Sequence, residues 1–417
     1  MQLRPTQGAS YTLGLLLVIY VFNHIDRQVM YILAESVKTD LDLSDGELGF
    51  LMGGGFAIFY AFAGLPIARL ADGGNRTNLI SLALVIWSAM TVASGMATNF
   101  VQLLLARVGV GVGEAGCTPP AHSILSDTFP PERRSYALSV YQLGVPFGIL
   151  FGFSAGGILA DELGWRTAFV VVGAPGVLLG LVARLTLKEP ERGRFDVGAS
   201  TEVEPLRSTL AYIFGLRSMR HVLIGSSLQT LFLAGAGAFH ASFLQRVHGL
   251  TPTEVGVQLG LVAGLTGAIA VFGAGWLSER LERRDVRWTW WIPAIGAVAS
   301  LPFSYVAYTT GSASFAVAMI ACATLLNHTY SALTHAIMQN LVRPRMRAVM
   351  SALALFAMNL VGFGLGPVLL GLLSDRFGGG AEIRWALVSL IVFVGWAAIH
   401  YLLGARTYVR DLEAKNA

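Results

Sequence analysis

Twelve windows of about 20 mainly apolar residues recur along this 417-residue chain, and nothing else in it constrains the fold so tightly. Inside hydrocarbon each backbone N–H and C=O must find its partner within its own segment, so such windows are read as helices. They start near Ser10, Glu47, Asn78, Asn99, Tyr136, Arg166, Arg220, Thr251, Arg287, Ser312, Ala348 and Arg384. The chain is 54% hydrophobic and 13% charged, where soluble domains run near 25% charged. The reading is an all-α polytopic membrane protein. Its net charge of +4 sits in short arginine clusters between apolar spans, a pattern of membrane orientation and not of nucleic-acid binding. Cys117 and Cys322 each lie within an apolar window, so no disulfide framework and no cysteine metal site is expected. The first apolar run continues as Asn23-His24-Ile25-Asp26-Arg27 without a small-residue cleavage site, and is read as a retained helix.

Most connections are short. The exception runs from Lys188 to about Arg217 and is rich in Ser, Thr and charges, which divides the chain into a six-helix bundle over 1–187, a cytoplasmic linker over 188–219 and a second six-helix bundle over 220–417. With both termini cytoplasmic, only Lys38, Arg166, Arg246, Arg376 and Arg384 of the 29 Lys and Arg residues lie outside, Arg27 and Arg107 are in the membrane, and the rest lie inside. The halves also repeat. Ser44-Asp45-Gly46-Glu47 and Thr251-Pro252-Thr253-Glu254 both read as capping boxes opening a span, and the same offset of 207 residues carries Gly53 onto Gly260, Leu70 onto Leu277, Asp72 onto Glu279 and Arg76 onto Arg283.

Asp26, Arg27, Arg107 and Glu114 lie within these spans. A charge at membrane depth costs roughly 2.5 to 3.5 kcal/mol on insertion scales, so such residues tend to face a bundle interior and mark an ion or substrate path. Asn23, Asp26, Arg27 and Met30 share one helical face, as do Arg107, Gly111 and Glu114, and Gly109, Gly111 and Gly113 leave room for close helix approach. At about 1.5 Å of rise per residue, Asp26 and Arg107 reach similar depths on antiparallel spans and are expected to pair, with Glu114 roughly 10 Å deeper. Arg27 is left to reach Glu114 or to meet an anionic ligand. Burial favours a neutral carboxyl and a nearby arginine favours the ionised one, so an opening or closing cavity can drive reversible protonation of Glu114. The expected coupling ion is therefore the proton, with Glu114 as its main site and Asp26 coupled to it through Arg107. The competing expectation is an ion-pair network that only locks the first helix to the fourth.

The second half has no acid or base within its spans apart from histidines. Gln229, Asn327, Tyr330, Thr334 and Asn359 supply its buried polarity and, with Asn23 and Met30, form the expected substrate cavity. Halves of different chemistry suit an amphipathic cargo, although helix-bridging hydrogen bonds alone would use the same residues.

Gly275-Trp276-Leu277-Ser278-Glu279-Arg280-Leu281-Glu282-Arg283-Arg284 resembles the major facilitator signature G-x-L-A-D-R-x-G-R-R. The first copy, Ala68-Arg69-Leu70-Ala71-Asp72-Gly73-Gly74-Asn75-Arg76, keeps the acid and the last arginine but lacks the middle arginine and the flanking glycines. A narrower resemblance is to the Spinster branch, transporters of sphingolipids and lysophospholipids. It is carried by Asn23 to Arg27, by Arg107-Val108-Gly109-Val110-Gly111-Val112-Gly113-Glu114-Ala115, by Asp127-Thr128-Phe129-Pro130-Pro131-Glu132-Arg133-Arg134, by Gly164-Trp165-Arg166 and by Gly362 to Pro367. Two departures stand out. Gly144-Val145-Pro146 replaces the Gly-Pro of the antiporter signature in the fifth span, and Lys188-Glu189-Pro190-Glu191-Arg192 does not match the run that sugar porters carry there.

The resemblance implies twelve helices in two pseudo-symmetric bundles and alternating access. It also implies a cytoplasmic gate in which Asp72 caps a facing helix and Arg76, Asp127 and Arg134 form a latch, with Glu279, Arg280 and Arg284 as the partial counterpart. The expected function is proton-coupled export of a lysophospholipid or sphingolipid-like molecule by a monomer in a bacterial inner membrane. The alternatives are transport of another amphipathic compound or a small organic anion, and a receptor that binds without moving its ligand. An enzyme is not expected, since H-E-x-x-H, G-x-S-x-G, Cys-His metal spacing and a P-loop are all missing from the sequence; neither metal nor organic cofactor is called for.

Overall fold

The computed structural model of the chain describes residues 8–195 and 206–416, so residues 196–205 of the expected linker lie outside it. The described residues are helical, with no strand among them. Eleven helical stretches among them are long and apolar enough to cross a membrane. One of these, 131–186, has 56 residues, about 84 Å of helix where one crossing needs about 30 Å. It turns at Gly164, whose φ of 75° is a left-handed conformation that glycine adopts without a Cβ clash. The windows starting at Tyr136 and Arg166 are thus its two limbs. Arg166 fastens this turn: it pairs with Asp40, donates from Nη2 to the Ala97 carbonyl at 3.0 Å and lies 4.1 Å over the Trp165 ring.

Two compact units emerge, one of 1–200 with 250–264 and the other of 201–249 with 265–417. The first contains α1 (Ala9–Ile32), α2 (Gly55–Gly73), α3 (Arg76–Gly95), α4 (Phe100–Glu114), α5 (Thr118–Thr128), α6 (Pro131–Gln142) and α7 (Gly144–Thr186). Its apolar core includes Leu16, Ile19, Leu84, Trp87, Ile124 and Tyr141. Small residues set its helix spacing. Gly144, Gly148, Gly152 and Gly156 of α7 press on α1, and a Cβ at Gly148 would stand 2.7 Å from the Val21 carbonyl oxygen.

The second unit is built from α8 (Arg217–His248), α9 (Pro252–Glu282) beyond Gly264, α10 (Trp288–Thr309), α11 (Ala313–Asn327), α12 (Tyr330–Leu341), α13 (Arg347–Ala357), α14 (Gly366–Phe377) and α15 (Ile383–Asn416). Trp290, Ile337, Met338 and Tyr401 lie in its core. The start of α9 falls in the first unit, unlike the simple cut at the linker, because its backbone meets α7 directly. A Cβ at Gly256 would stand 2.3 Å from the Phe153 carbonyl oxygen, and the Thr253 amide donates to Asp161 at 2.8 Å.

Both capping boxes form. The Glu47 amide donates to Ser44 Oγ while the Ser44 amide donates to Glu47 at 2.9 Å, and Thr251 and Glu254 exchange the same two bonds. The repeat then diverges: a π-helical turn over Phe50–Gly54 follows the first box, whereas α9 runs on without a break. A second π-helical stretch, Met358–Leu365, holds part of the Gly362 to Pro367 motif, and a Cβ at Gly362 would collide with Thr230 of α8.

Candidate functional site

The four intramembrane charges converge in the first unit. Arg27 donates from Nε to Glu114 Oε2 at 2.6 Å, joining α1 to the last turn of α4. The Glu114 side chain is fully buried and that of Arg27 is 24% exposed, so the pair has one open edge. The Arg27 guanidinium also lies 4.8 Å from the Phe56 ring centre and 5.4 Å from that of Tyr60, both on α2. A cation over aromatic faces gains further stabilisation when desolvated.

Asp26 and Arg107 are both 1% exposed, and no ion pair closes between them. Both Asp26 oxygens lack a hydrogen-bond partner, as do Nε and Nη1 of Arg107, Oε1 of Glu114 and Nδ2 of Asn23. The expected Asp26–Arg107 pairing is therefore replaced by proximity without contact. The reason lies in the glycine run of α4. Gly109 and Gly113 press on Met90 and Trp87 of α3, and Gly111 on Phe56 of α2, so these glycines serve α2 and α3 and α1 is reached only through long side chains. Two acids thus face two guanidiniums in a buried cluster whose formal charges balance. Unmet polar atoms at this depth are costly.

Asn23 lies beside Glu114, and Met30 is fully buried on the same helix. In the second unit Gln229 of α8 donates to Asn327 Oδ1 of α11 at 2.8 Å, and Asn327 donates to its own helix at Ala323. Tyr330 and Thr230 share a bond of 2.8 Å, while Thr334 bonds the Tyr330 carbonyl. Asn359 donates to Leu355 of its own helix and does not join the others. His240 and Tyr308 meet at 3.0 Å and, with Asn327, Thr324 and Phe232, line a small cavity. His240 is not among the expected cavity residues, and the signal that ties it to Asn327 is only spatial.

Of the residues expected at the gate, Arg76 is the most closely bonded. This buried guanidinium pairs with Asp127, reaches Ser123 Oγ at 2.7 Å and the Pro190 carbonyl at 3.1 Å, and donates from Nε to Glu189 Oε1 at 2.6 Å. Glu189 also accepts from the Thr77 amide, and Arg192 bonds the Ala71 and Gly74 carbonyls, so the start of the linker is stitched onto the loop between α2 and α3. Arg134 donates to the Ser126 carbonyl. The side chain of Asp72 lies outside the described residues. Glu279 and Arg283 make a loose exposed pair at 3.7 Å, Arg280 stacks on Trp276 at 3.8 Å, and Arg284 is exposed, so these residues are not buried together as Arg76, Asp127 and Glu189 are.

The profile described as Major Facilitator Superfamily matches residues 16–367. An MFS-type efflux pump of Mycolicibacterium smegmatis is 35% identical over 414 residues, spanning 96% of this chain and 93% of that protein. Protein spinster homolog 1 of Mus musculus is 28% identical, spanning 94% and 80%. The crystal structure of a bacterial homologue to the human lysosomal transporter Spinster, inward-facing and unoccupied, superposes with a TM-score of 0.90 at 33% identity, covering 97% of this chain and 98% of that one.

Proposed function

The chain belongs to the major facilitator superfamily and is homologous to Spinster proteins, and from that premise we propose that it exports an amphipathic lipid, of lysophospholipid or sphingolipid type, by proton-coupled alternating access. The observation that carries the coupling is the buried Arg27–Glu114 bond of 2.6 Å beside the unclosed Asp26 and Arg107. A proton arriving on Glu114 removes the charge that holds the Arg27 guanidinium, weakening a charge-assisted bond that ties α1 to α4. The cluster then carries one net positive charge, which favours an anionic headgroup at Arg27 and Arg107. Loss of the proton restores the bond and expels the headgroup. Because the two protonation states favour different arrangements of α1, a proton gradient biases the conformational equilibrium.

The amide and hydroxyl groups of Gln229, Asn327, Tyr330 and Thr334 offer neutral polarity for the rest of the cargo. Asn359 is left as a further lining residue. Asp72, Arg76, Asp127 and Arg134 serve as the inner gate, with Glu279, Arg280 and Arg284 as its weaker counterpart. In this reading both termini are cytoplasmic, the protein works as a monomer in a bacterial inner membrane, and the proton is the only coupling agent, without metal or organic cofactor. The efflux name of the mycobacterial relative supports an outward direction and keeps other amphipathic compounds in view.

The test is transport in proteoliposomes of labelled lysolipids, sphingoid phosphates, amphipathic dyes and small organic anions, with and without an imposed pH gradient. Gradient-driven movement of a lipid supports the proposal. Movement of dyes or anions alone would replace the cargo, and binding without movement would make the protein a receptor.

A further inference from the structure

The second unit holds a pair of imidazoles that lies outside both the expected cavity and the expected gate. His221 of α8 and His400 of α15 meet Nδ1 to Nδ1 at 3.0 Å, with ring centres 5.1 Å apart and ring planes inclined at 47°. As neutral rings, one must carry its proton on Nδ1 and the other must accept it. Neither Nε2 is a buried unmet atom, so each ring can hold its proton there instead and free Nδ1 as a lone pair. Both Nδ1 lone pairs then face the same small space, as two imidazole ligands of one metal ion do.

The spacing suits such an ion. Two imidazoles on a tetrahedral metal, each bonded at about 2.0–2.1 Å, hold their nitrogens about 3.3–3.4 Å apart. On a tetragonal metal, with ligands near a right angle, the same bonds put the nitrogens about 2.9 Å apart. The observed 3.0 Å lies between the two. Close packing of the helices keeps the rings in register: a Cβ at Gly225, one turn beyond His221, would stand 2.8 Å from Cε1 of Tyr401, the neighbour of His400. Trp396, one turn before His400, has its ring centre 6.3 Å from that imidazole. Both histidines are half-buried. Arg217 and Arg220 precede His221 and Arg406 follows His400, which sets the pair at the border of the apolar stretch, where water and ions reach the protein.

The ligand set also selects the ion. No third His, Cys, Asp or Glu joins the pair among the described residues, so water completes the coordination. Imidazole nitrogen suits Zn²⁺, Ni²⁺ and Cu²⁺, whereas Mg²⁺ and Ca²⁺ take oxygen ligands.

We propose that His221 and His400 form a two-imidazole site for a divalent cation of the Zn²⁺, Ni²⁺ or Cu²⁺ class, which braces α8 to α15. The ion acts within the second unit and takes no part in proton coupling, so the site stands or falls independently of the transport reading.

The experiment is a calorimetric titration of Zn²⁺ into the full-length protein in detergent micelles, stripped of metal and free of any histidine tag, with Mg²⁺ as the control ion. Zn²⁺ is expected to bind and to raise the unfolding temperature as it is added, and Mg²⁺ to do neither. His221→Gln and His400→Gln are each expected to weaken Zn²⁺ binding at least about tenfold, since losing a ligand costs no less than losing a group that orients one. Glutamine keeps a hydrogen-bonding group at the position, and the unfolding temperature without metal checks that each variant is folded. In the native protein, electron paramagnetic resonance of bound Cu²⁺ is expected to show two imidazole nitrogens, a readout that needs no variant. Absence of Zn²⁺ binding, an affinity unchanged in both variants, or a Cu²⁺ signal with fewer than two imidazoles overturns the proposal.

Discussion

The two units use the same kind of helical frame for opposite purposes. In the first, two acids and two arginines share a buried space in which one ion pair closes and several polar atoms stay unmet. In the second, apart from Asp411, which accepts from the Ser218 amide and hydroxyl toward the end of α15, the buried polar side chains among the described residues are amides and hydroxyls; Asn327, Thr230 and Tyr330 all close neutral bonds, although Oε1 of Gln229 stays open. A charged cluster changes its bonding when one proton comes or goes. A neutral network does not, and its bonds join helices. Under the proposed function, the difference assigns energy coupling to the first unit, where a proton on Glu114 would change the bonding.

The contrast can be broken most sharply at Arg27. Arg27→Leu leaves a buried acid without its partner and is expected to cost about 3–5 kcal/mol of stability, measured by thermal or denaturant unfolding in detergent or bilayer. Adding Glu114→Gln to that variant should recover much of the loss, because the stranded charge is gone. Alone, Glu114→Gln is expected to lower the gradient response of transport at least tenfold, roughly 1.4 kcal/mol, while the protein stays folded. Flat transport across the pH range is the expected sign, since the amide has no proton to exchange.

The neutral unit should behave differently. Gln229→Leu removes the bond to Asn327 and is expected to cost about 1 kcal/mol, with the pH response of transport retained. A pH response lost there would erase the distinction between the units. The smallest effect belongs to the exposed second copy of the loop signature: Glu279→Ala should change stability by no more than about 0.5 kcal/mol. Glu189→Gln, by contrast, should be felt through Arg76, whose side chain is buried against it.

Much of the frame was legible because the bilayer allows few choices. Apolar windows fixed the helices, the capping boxes at Ser44 and Thr251 fixed two of their starts, and a charge such as Glu114 within a window stood out. The partners were harder to read. Arg27 prefers Glu114 because Phe56 and Tyr60 hold its guanidinium there, but on a sequence those aromatics resemble any apolar face. The glycines of α4 announced close packing without saying that α2 and α3, and not α1, come close. Glu189 and Arg192 read as solvated linker charges, and only the fold brings them to Arg76 and to the carbonyls beside it.

The central claim is that proton movement and cargo movement are one process governed by Glu114. It is tested most directly by loading proteoliposomes with a pH-sensitive dye and imposing a gradient of the transported lipid, for the native protein and for Glu114→Gln. The account predicts that the lipid gradient drives protons across the membrane in the native protein and that the variant moves none. Proton movement that persists in Glu114→Gln, or lipid movement without protons in the native protein, would contradict it.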